Sequence, residues 1–168
     1  MSSVSFPRKS VVHQIWTNMN KLLLTSTIFF CTNLLNLSPV LSQCTISVSS
    51  VNFYTYNVFS NFPNSSTGII NYNCSAVSPV PTSISIDLTP GNAATYHPRQ
   101  LSNGYDVLNY NLYLDAAWQS IWGNGTTGSQ HYISSALSKT IYIYGIIPAR
   151  QNAKIGTYTD AITATINF

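Results

Sequence analysis

The C-terminal segment, residues 156–168, alternates between apolar and polar side chains. A period of two is typical of a β-strand with one buried face. The apolar face of this strand carries Ile162, Ala164, Ile166 and Phe168. Because the alternation runs to the final residue, we expect the free edge of the strand to be completed by a segment of another chain. The pattern therefore favours an assembly function over catalysis.

The chain upstream of this strand predicts further strands and no long helix. Short runs rich in Ile, Val, Tyr and Thr alternate with turn-forming Asn, Gly, Pro and Ser. The predicted strands are 45–56, 68–74, 83–89, 105–114, 131–137, 139–147 and 157–168. About seven strands at this spacing favour an all-β, immunoglobulin-like antiparallel β-sandwich.

A basic residue followed by an apolar run predicts a cleaved export signal. Lys21 precedes the apolar run 22–37, and Val40 and Ser42 satisfy the small-residue rule for signal-peptidase cleavage. The alternative is a membrane anchor, but the run is short for a bilayer and two asparagines interrupt it. A lipid-modified Cys44 is a second alternative, and it is less favoured because Gln43 stands where a lipobox requires a small residue.

The signal divides the chain into three parts. We interpret 1–18 as an upstream extension, 19–42 as the signal peptide and 43–168 as the mature domain. Translation could start at Met1 or at Met19, and this division takes Met19 as the start. The length of the mature part is sufficient for one domain with its own hydrophobic core.

Charge and cysteine content exclude several classes of function. Beyond residue 42, basic residues and aspartates are equal in number and Glu is absent, so the domain has no basic excess for nucleic acid. Cys44 and Cys74 are the two cysteines of the mature part, which predicts one disulfide in an exported protein. A metal site is disfavoured because His97 and His131 are isolated in the sequence.

The sequence predicts no catalytic site, no metal and no cofactor. It contains no nucleophile elbow, phosphate-binding loop or zinc-protease motif. The four aspartates lie beside turn residues or at strand ends, where capping is their usual function. They are Asp87, Asp106, Asp115 and Asp160.

The mature part is rich in tyrosine. Tyr105, Tyr110 and Tyr113 cluster in one predicted strand, and Tyr142 and Tyr144 lie on one face of another. Two interpretations are open: a sugar-stacking or adhesive surface, or packing on the faces of a sheet. Packing is favoured, because aromatic residues have a high strand propensity.

Four short motifs in a fixed order carry a family resemblance. They are Tyr-x-Leu-Tyr-x-Asp, Trp-Gly-Asn, Tyr-Gly-x-Ile-Pro and Gly-x-Tyr-x-Asp, spread over residues 110–160. With Arg99, their main positions are Tyr110, Tyr113, Asp115, Trp122, Gly123, Gly145, Pro148, Gly156, Tyr158 and Asp160. Residues 44–168 thereby resemble the spore coat protein U domain family, whose members include subunits of archaic chaperone–usher pili.

The resemblance implies an immunoglobulin-like sandwich that lacks its last strand and is completed by donor-strand complementation. A periplasmic chaperone would lend a strand during export, an outer-membrane usher would pass the subunit on, and another pilin subunit would then supply the strand. Main-chain hydrogen bonds give affinity in such strand addition, and pockets for alternate side chains give specificity. The expected groove residues are Ile46, Val48, Val51, Ile162, Ala164, Ile166 and Phe168.

One departure from the family pattern concerns the donor segment. Fibre-forming members carry a dozen or more residues between the cleavage site and the first cysteine, whereas here Gln43 alone separates Ser42 from Cys44. Such a subunit could receive a strand and would have none to give. This favours a receive-only, tip-type subunit, and a truncated two-domain adhesin is the alternative.

The predicted function is therefore a structural or adhesive subunit of a surface pilus or coat that supports attachment and biofilm formation. It would pass through the periplasm and reach the cell surface or be secreted. The alternative is a freestanding secreted binding module for carbohydrate or surface ligands, using the tyrosines and Trp118 or Trp122.

Overall fold

The structure is a computed structural model that describes residues 2–5 and 43–168. All the regular secondary structure in these residues is β-strand, which confirms the all-β prediction. The strands are β1 (Ser2–Ser5), β2 (Thr45–Val48), β3 (Val51–Tyr54), β4 (Asn64–Asn73), β5 (Ile84–Leu88), β6 (Arg99–Ser102), β7 (Val107–Tyr113), β8 (Tyr132–Ser134), β9 (Ser138–Ile147), β10 (Tyr158–Ala161) and β11 (Ala164–Asn167). No helix in these two ranges is long and apolar enough to cross a membrane. The predicted signal peptide 19–42 lies outside them.

Two sheets enclose one core. The larger sheet has eight strands in the order β2-β4-β9-β7-β6-β10-β1-β3, and the smaller has three in the order β11-β5-β8. All their pairings are antiparallel except that of β1 with β10. Ile86 and Ile166 of the small sheet belong to the same buried cluster as Ile70 and Ile143 of the large one. The predicted antiparallel architecture is therefore confirmed.

Two of the predicted long strands change sheet partners midway. Segment 45–56 divides into β2, which pairs with β4, and β3, which pairs with β1. Segment 157–168 divides into β10, which pairs with β6, and β11, which pairs with β5. The short strand β6 was not predicted, because a four-residue run that begins with Arg has a weak apolar pattern. Segment 45–56 therefore supplies both edge strands of the large sheet, whereas segment 157–168 contributes one strand to each sheet.

The large sheet curls so that β3 lies over β9. Val51 and Phe53 of β3 pack on Gly145, where a Cβ would lie only 2.7 Å from Cζ of Phe53 and 2.8 Å from Cγ1 of Val51. Any larger side chain at position 145 would push the two strands apart. Asn64 fastens the same region, because its Nδ2 donates a hydrogen bond to the Phe53 carbonyl at 2.8 Å.

The Asp106 carboxylate joins two loops at one end of the domain. It accepts hydrogen bonds from the Lys154 backbone N–H at 2.9 Å and from the Tyr158 hydroxyl at 3.0 Å, and also from the Val107 N–H. These bonds, led by the one from Lys154, lower the pKa of Asp106. The turn before β7 is thereby tied to the loop before β10.

Asp106 should make stability depend on acid. A carboxyl whose pKa is lower in the folded state stabilises the fold above its unfolded pKa, and loses that effect as pH falls through the folded value. The free energy of unfolding of Asp106→Asn should therefore be below wild type at pH 7, and the difference should shrink below about pH 4. Urea unfolding of both proteins between pH 7 and pH 2 measures it. A difference that does not change with pH would contradict the assignment.

Candidate functional site

A slot between β3 and β10 is filled by β1. Strand β1 runs parallel to β10, with Ser2 opposite Tyr158 and Val4 opposite Asp160. On its other side it runs antiparallel to β3, with Val4 opposite Val51. A short segment that lies far from both strands in the sequence therefore satisfies two strand edges. An unpaired strand edge is a template for another strand. Because two such edges, those of β3 and β10, face the slot, its geometry suits the binding of a strand.

Val4 of β1 contributes its side chain to the core. It is fully buried and belongs to the same hydrophobic cluster as Val51, Phe53 and Tyr158. The occupant of the slot thus supplies apolar surface as well as main-chain hydrogen bonds. Sequence reasoning missed this strand, because Ser2-Ser-Val-Ser5 is too short for an alternating pattern to be recognised.

The predicted groove residues are distributed over several elements. Both borders of the slot, β3 and β10, come from the predicted strands 45–56 and 157–168. Val51 lies directly beside β1. The other predicted groove residues lie elsewhere: Ile46 and Val48 on β2, Ile162 buried between β10 and β11, Ala164 and Ile166 on β11, and Phe168, half-exposed after β11. Their contact with a longer inserted strand stays a prediction.

A buried carboxylate holds β10 from behind the slot. Asp160 is 2% exposed and accepts hydrogen bonds from the Tyr110 hydroxyl at 2.6 Å and from the backbone N–H groups of Asn92 and Ala161, each at 2.8 Å. Burial raises the pKa of Asp160, and it also raises that of Tyr110. Since Asp160 lies opposite Val4, these bonds fix the backbone that receives the strand.

Arg99 fixes the neighbouring strand β6. Its guanidinium is fully buried, and it donates to the carbonyls of Thr89 and Trp122 and to Oδ1 of Asn111, the last two at 2.6 and 2.8 Å. Its charge also lies 5.1 Å from the ring centre of Tyr96. Burial lowers the pKa of Arg99. The guanidinium N–H groups of Arg99 bond protein oxygens, and the side chain is shielded from solvent. Arg99 is therefore structural, and it supports β10 through the neighbouring strand β6.

Trp122 links the two sheets. Its ring is fully buried, and Nε1 donates to the Ile86 carbonyl of β5 at 2.8 Å. The ring centre lies 6.0 Å from that of Tyr132 on β8. The next residue, Gly123, donates to the Gln130 carbonyl at 2.6 Å. The Trp-Gly motif therefore anchors the small sheet to the core.

The remaining motif residues hold strands and loops. Tyr113 lies half-buried on β7 opposite Tyr144. The carboxylate of Asp115 accepts hydrogen bonds from the backbone N–H groups of 117, 119 and 120. The Pro148 carbonyl accepts from the Tyr56 hydroxyl, and Gly156 lies next to Asn103.

The Cys44–Cys74 disulfide is present and ties the start of β2 to the end of β4. Both cysteines are buried.

Within the described ranges, no group of three or more His, Cys, Asp or Glu side chains is placed to hold a metal ion. His131 lies 3.5 Å from a carboxylate oxygen of Asp87, at the surface of the small sheet.

Comparison with known proteins gives a family match. A family model described as the Spore Coat Protein U domain matches residues 31–165. The curated Protein U of Myxococcus xanthus is 31% identical over 106 residues, which are 61% of this chain and 59% of that protein. The match thus spans less than two thirds of the length of Protein U.

Solved structures of pilus components are also similar. One chain in the crystal structure of the CsuC–CsuE chaperone–tip adhesion subunit pre-assembly complex, from the archaic chaperone–usher Csu pili of Acinetobacter baumannii, aligns with a TM-score of 0.50. It is 20% identical, and the alignment covers 75% of this chain and 40% of that one. The E. coli Hda pilus minor tip subunit HdaB aligns with a TM-score of 0.39 and 15% identity, over 73% of this chain and 79% of HdaB. The likeness to the chain of the Csu complex is one of fold.

Proposed function

The chain belongs to the Spore Coat Protein U domain family, and from this premise we propose that it is a non-enzymatic subunit of a surface pilus or coat assembled by the chaperone–usher pathway. One observation carries the proposal: the domain contains a slot between β3 and β10 that takes a separate strand. The occupant pairs on both sides and buries Val4. A site of this geometry joins chains rather than transforming a substrate.

Export would empty the slot. If signal peptidase cuts after Ser42, β1 is removed together with residues 1–42. The edges of β3 and β10 then lose their partner, and the core loses Val4. A strand from a periplasmic chaperone would fill the slot in transit, and a strand from another pilin subunit would replace it after passage through the outer-membrane usher.

The same cleavage would make this subunit a receiver. Only Gln43 would precede Cys44, and Cys44 is held by its disulfide at the start of β2. No free segment of the mature N-terminus would then reach the slot of a neighbour. We place such a subunit at the tip of a fibre, on the cell surface, with a function in attachment and biofilm formation.

A freestanding secreted module is the second candidate, and β1 itself favours it. If residues 1–18 were retained, Ser2–Ser5 would complete the domain without a partner chain. The two candidates therefore differ in one testable property, the source of the strand in the slot.

Expression of residues 1–168 together with a periplasmic chaperone of the chaperone–usher pathway would separate them. We expect the intact mass of periplasmic protein to begin at Gln43, and the chaperone to co-purify in a one-to-one complex. Expression without the chaperone is the control and should give degraded or aggregated subunit. A soluble monomer whose mass includes residues 1–18 and which captures no chaperone would establish the freestanding module instead.

A further inference from the structure

We propose that a cleft on the side of the domain, lined by the rings of Tyr54, Trp118 and Tyr144, binds a neutral saccharide. The cleft has a volume of about 530 Å³, which lies within the range of small-ligand sites. The other residues that line it are Ser65, Ser66, Thr67 and Ala116. Neither the family match nor the proposed assembly function assigns a ligand to it.

The chemistry of the lining fits a sugar. A pyranose ring presents apolar C–H faces that stack on aromatic rings, and a rim of hydroxyls that exchange hydrogen bonds with hydroxyl side chains. The cleft offers three aromatic rings beside three hydroxyl side chains, and no charged residue lines it. Phosphate, sulfate and carboxylate groups would therefore find no charge partner, so the saccharide is a neutral one.

Two of the rings are more exposed than packing alone would leave them. Tyr54 is 69% exposed and Trp118 is 39% exposed, whereas Trp122 of the core is fully buried. Burial of a large aromatic side chain is strongly favourable in free energy. At binding sites, such side chains supply a large contact area at a low cost in conformational entropy. A ligand stacked in the cleft would cover both rings.

The two residues that carry these rings adopt an unfavourable backbone conformation. Tyr54 has φ of 57° and Trp118 has φ of 55°, in the left-handed region that side chains other than Gly, Asn and Asp rarely adopt. Strained residues of this kind cluster at ligand sites, where the surrounding structure must maintain them. Here two strained residues, distant in sequence, line a single cleft.

Hydrogen bonds on both sides maintain each strained residue. Nδ2 of Asn64 donates to the carbonyls of Phe53 and Thr55, at 2.8 and 3.2 Å, and so holds the backbone before and after Tyr54. The carboxylate of Asp115 accepts from the N–H groups of residues 117 and 119, at 3.0 and 3.2 Å, on either side of Trp118. The backbone that carries each ring is thus held in place before a ligand arrives, which lowers the entropy cost of binding.

The floor of the cleft is rigid sheet. Tyr144 of β9 lies opposite Thr67 of β4 in the ladder. The Ser66 hydroxyl donates to the Asn52 carbonyl, which ties β4 to β3, the strand that carries Tyr54. A site built on strands keeps its geometry better than one built on loops alone.

The test uses the full-length protein on an array of neutral, sulfated and sialylated oligosaccharides, followed by calorimetric titration of the best neutral probe. Tyr54→Asn and Trp118→Asn remove a ring each while keeping a residue that tolerates positive φ. Each should weaken binding by at least about tenfold, the ratio that about 1.4 kcal/mol of lost contact produces. Tyr105→Asn is the matched control, because Tyr105 is 94% exposed and outside the cleft, and it should bind as wild type.

Three results would overturn the proposal: capture of no neutral oligosaccharide, capture of anionic probes alone, or unchanged affinity in both cleft variants. Thermal melting accompanies each variant, and one that melts well below wild type is replaced by Tyr54→Gly or Trp118→Gly, which also removes the ring and accepts positive φ. Tyr54→Phe and Trp118→Phe keep a stacking ring and should retain most of the affinity.

Discussion

Residues 43–168 produced without an added strand should aggregate, or unfold at a much lower temperature than the same residues with a strand supplied in trans. The edges of β3 and β10 are then unpaired, and the core lacks the side chain that Val4 contributes. Exposed apolar surface forfeits about 25 cal/mol per Å², so an open slot lowers the free energy of unfolding by several kcal/mol. That is a large fraction of the ~5–15 kcal/mol that stabilises an ordinary domain.

The measurement is thermal unfolding of residues 43–168 with increasing concentrations of a peptide that spans residues 1–9. The melting temperature should rise with peptide concentration, as expected for a ligand that binds only the folded state. A peptide with Val4→Asp is the matched control and should give little stabilisation, because it would bury a charge in the core. On non-boiled gels the subunit should show no homopolymer ladder. A high melting temperature that peptide does not change would mean that the fold is complete without a partner.

Trp122→Ala should lower the free energy of unfolding by roughly 3–5 kcal/mol, the range for loss of a fully buried large aromatic residue. The ring fills the space between the sheets, and its Nε1–H bonds the Ile86 carbonyl. Truncation leaves a cavity and an unsatisfied carbonyl at the same place. Urea unfolding of the full-length chain measures the loss.

One further variant separates the loss of ring volume from the loss of the hydrogen bond at position 122, and a variant of Trp118 is the control. Trp122→Phe keeps most of the ring and loses the bond to Ile86, so it should cost less than Trp122→Ala, on the order of 1–3 kcal/mol. Trp118→Ala removes a Trp that is 39% exposed and should cost least of the three. If Trp122→Ala retained wild-type stability and lost only surface attachment, Trp122 would be a contact residue and not an anchor.

The sequence determined those features that depend on local pattern. The period-two alternation over 139–147 and 157–168 predicted strands with one buried face, and β9, β10 and β11 follow it. The two cysteines of the mature part left one pairing, and the Cys44–Cys74 bond is present. The motif positions Arg99, Trp122 and Asp160 could be singled out through the family resemblance, but not explained. Their partners are carbonyls and hydroxyls that the sequence does not place.

Only the tertiary structure decided which strand edges meet and where they stay open. The alternation continues through residues 162–163 without a break, yet at this point the chain passes from β10 of the large sheet to β11 of the small one. The slot for β1 and the cleft of Tyr54 and Trp118 exist because segments far apart in sequence lie side by side. Alternation is a local property of an extended backbone, and it fixes which side of a strand is buried. Pairing and curvature arise from long-range contacts, and these are determined only when the whole chain packs around one core.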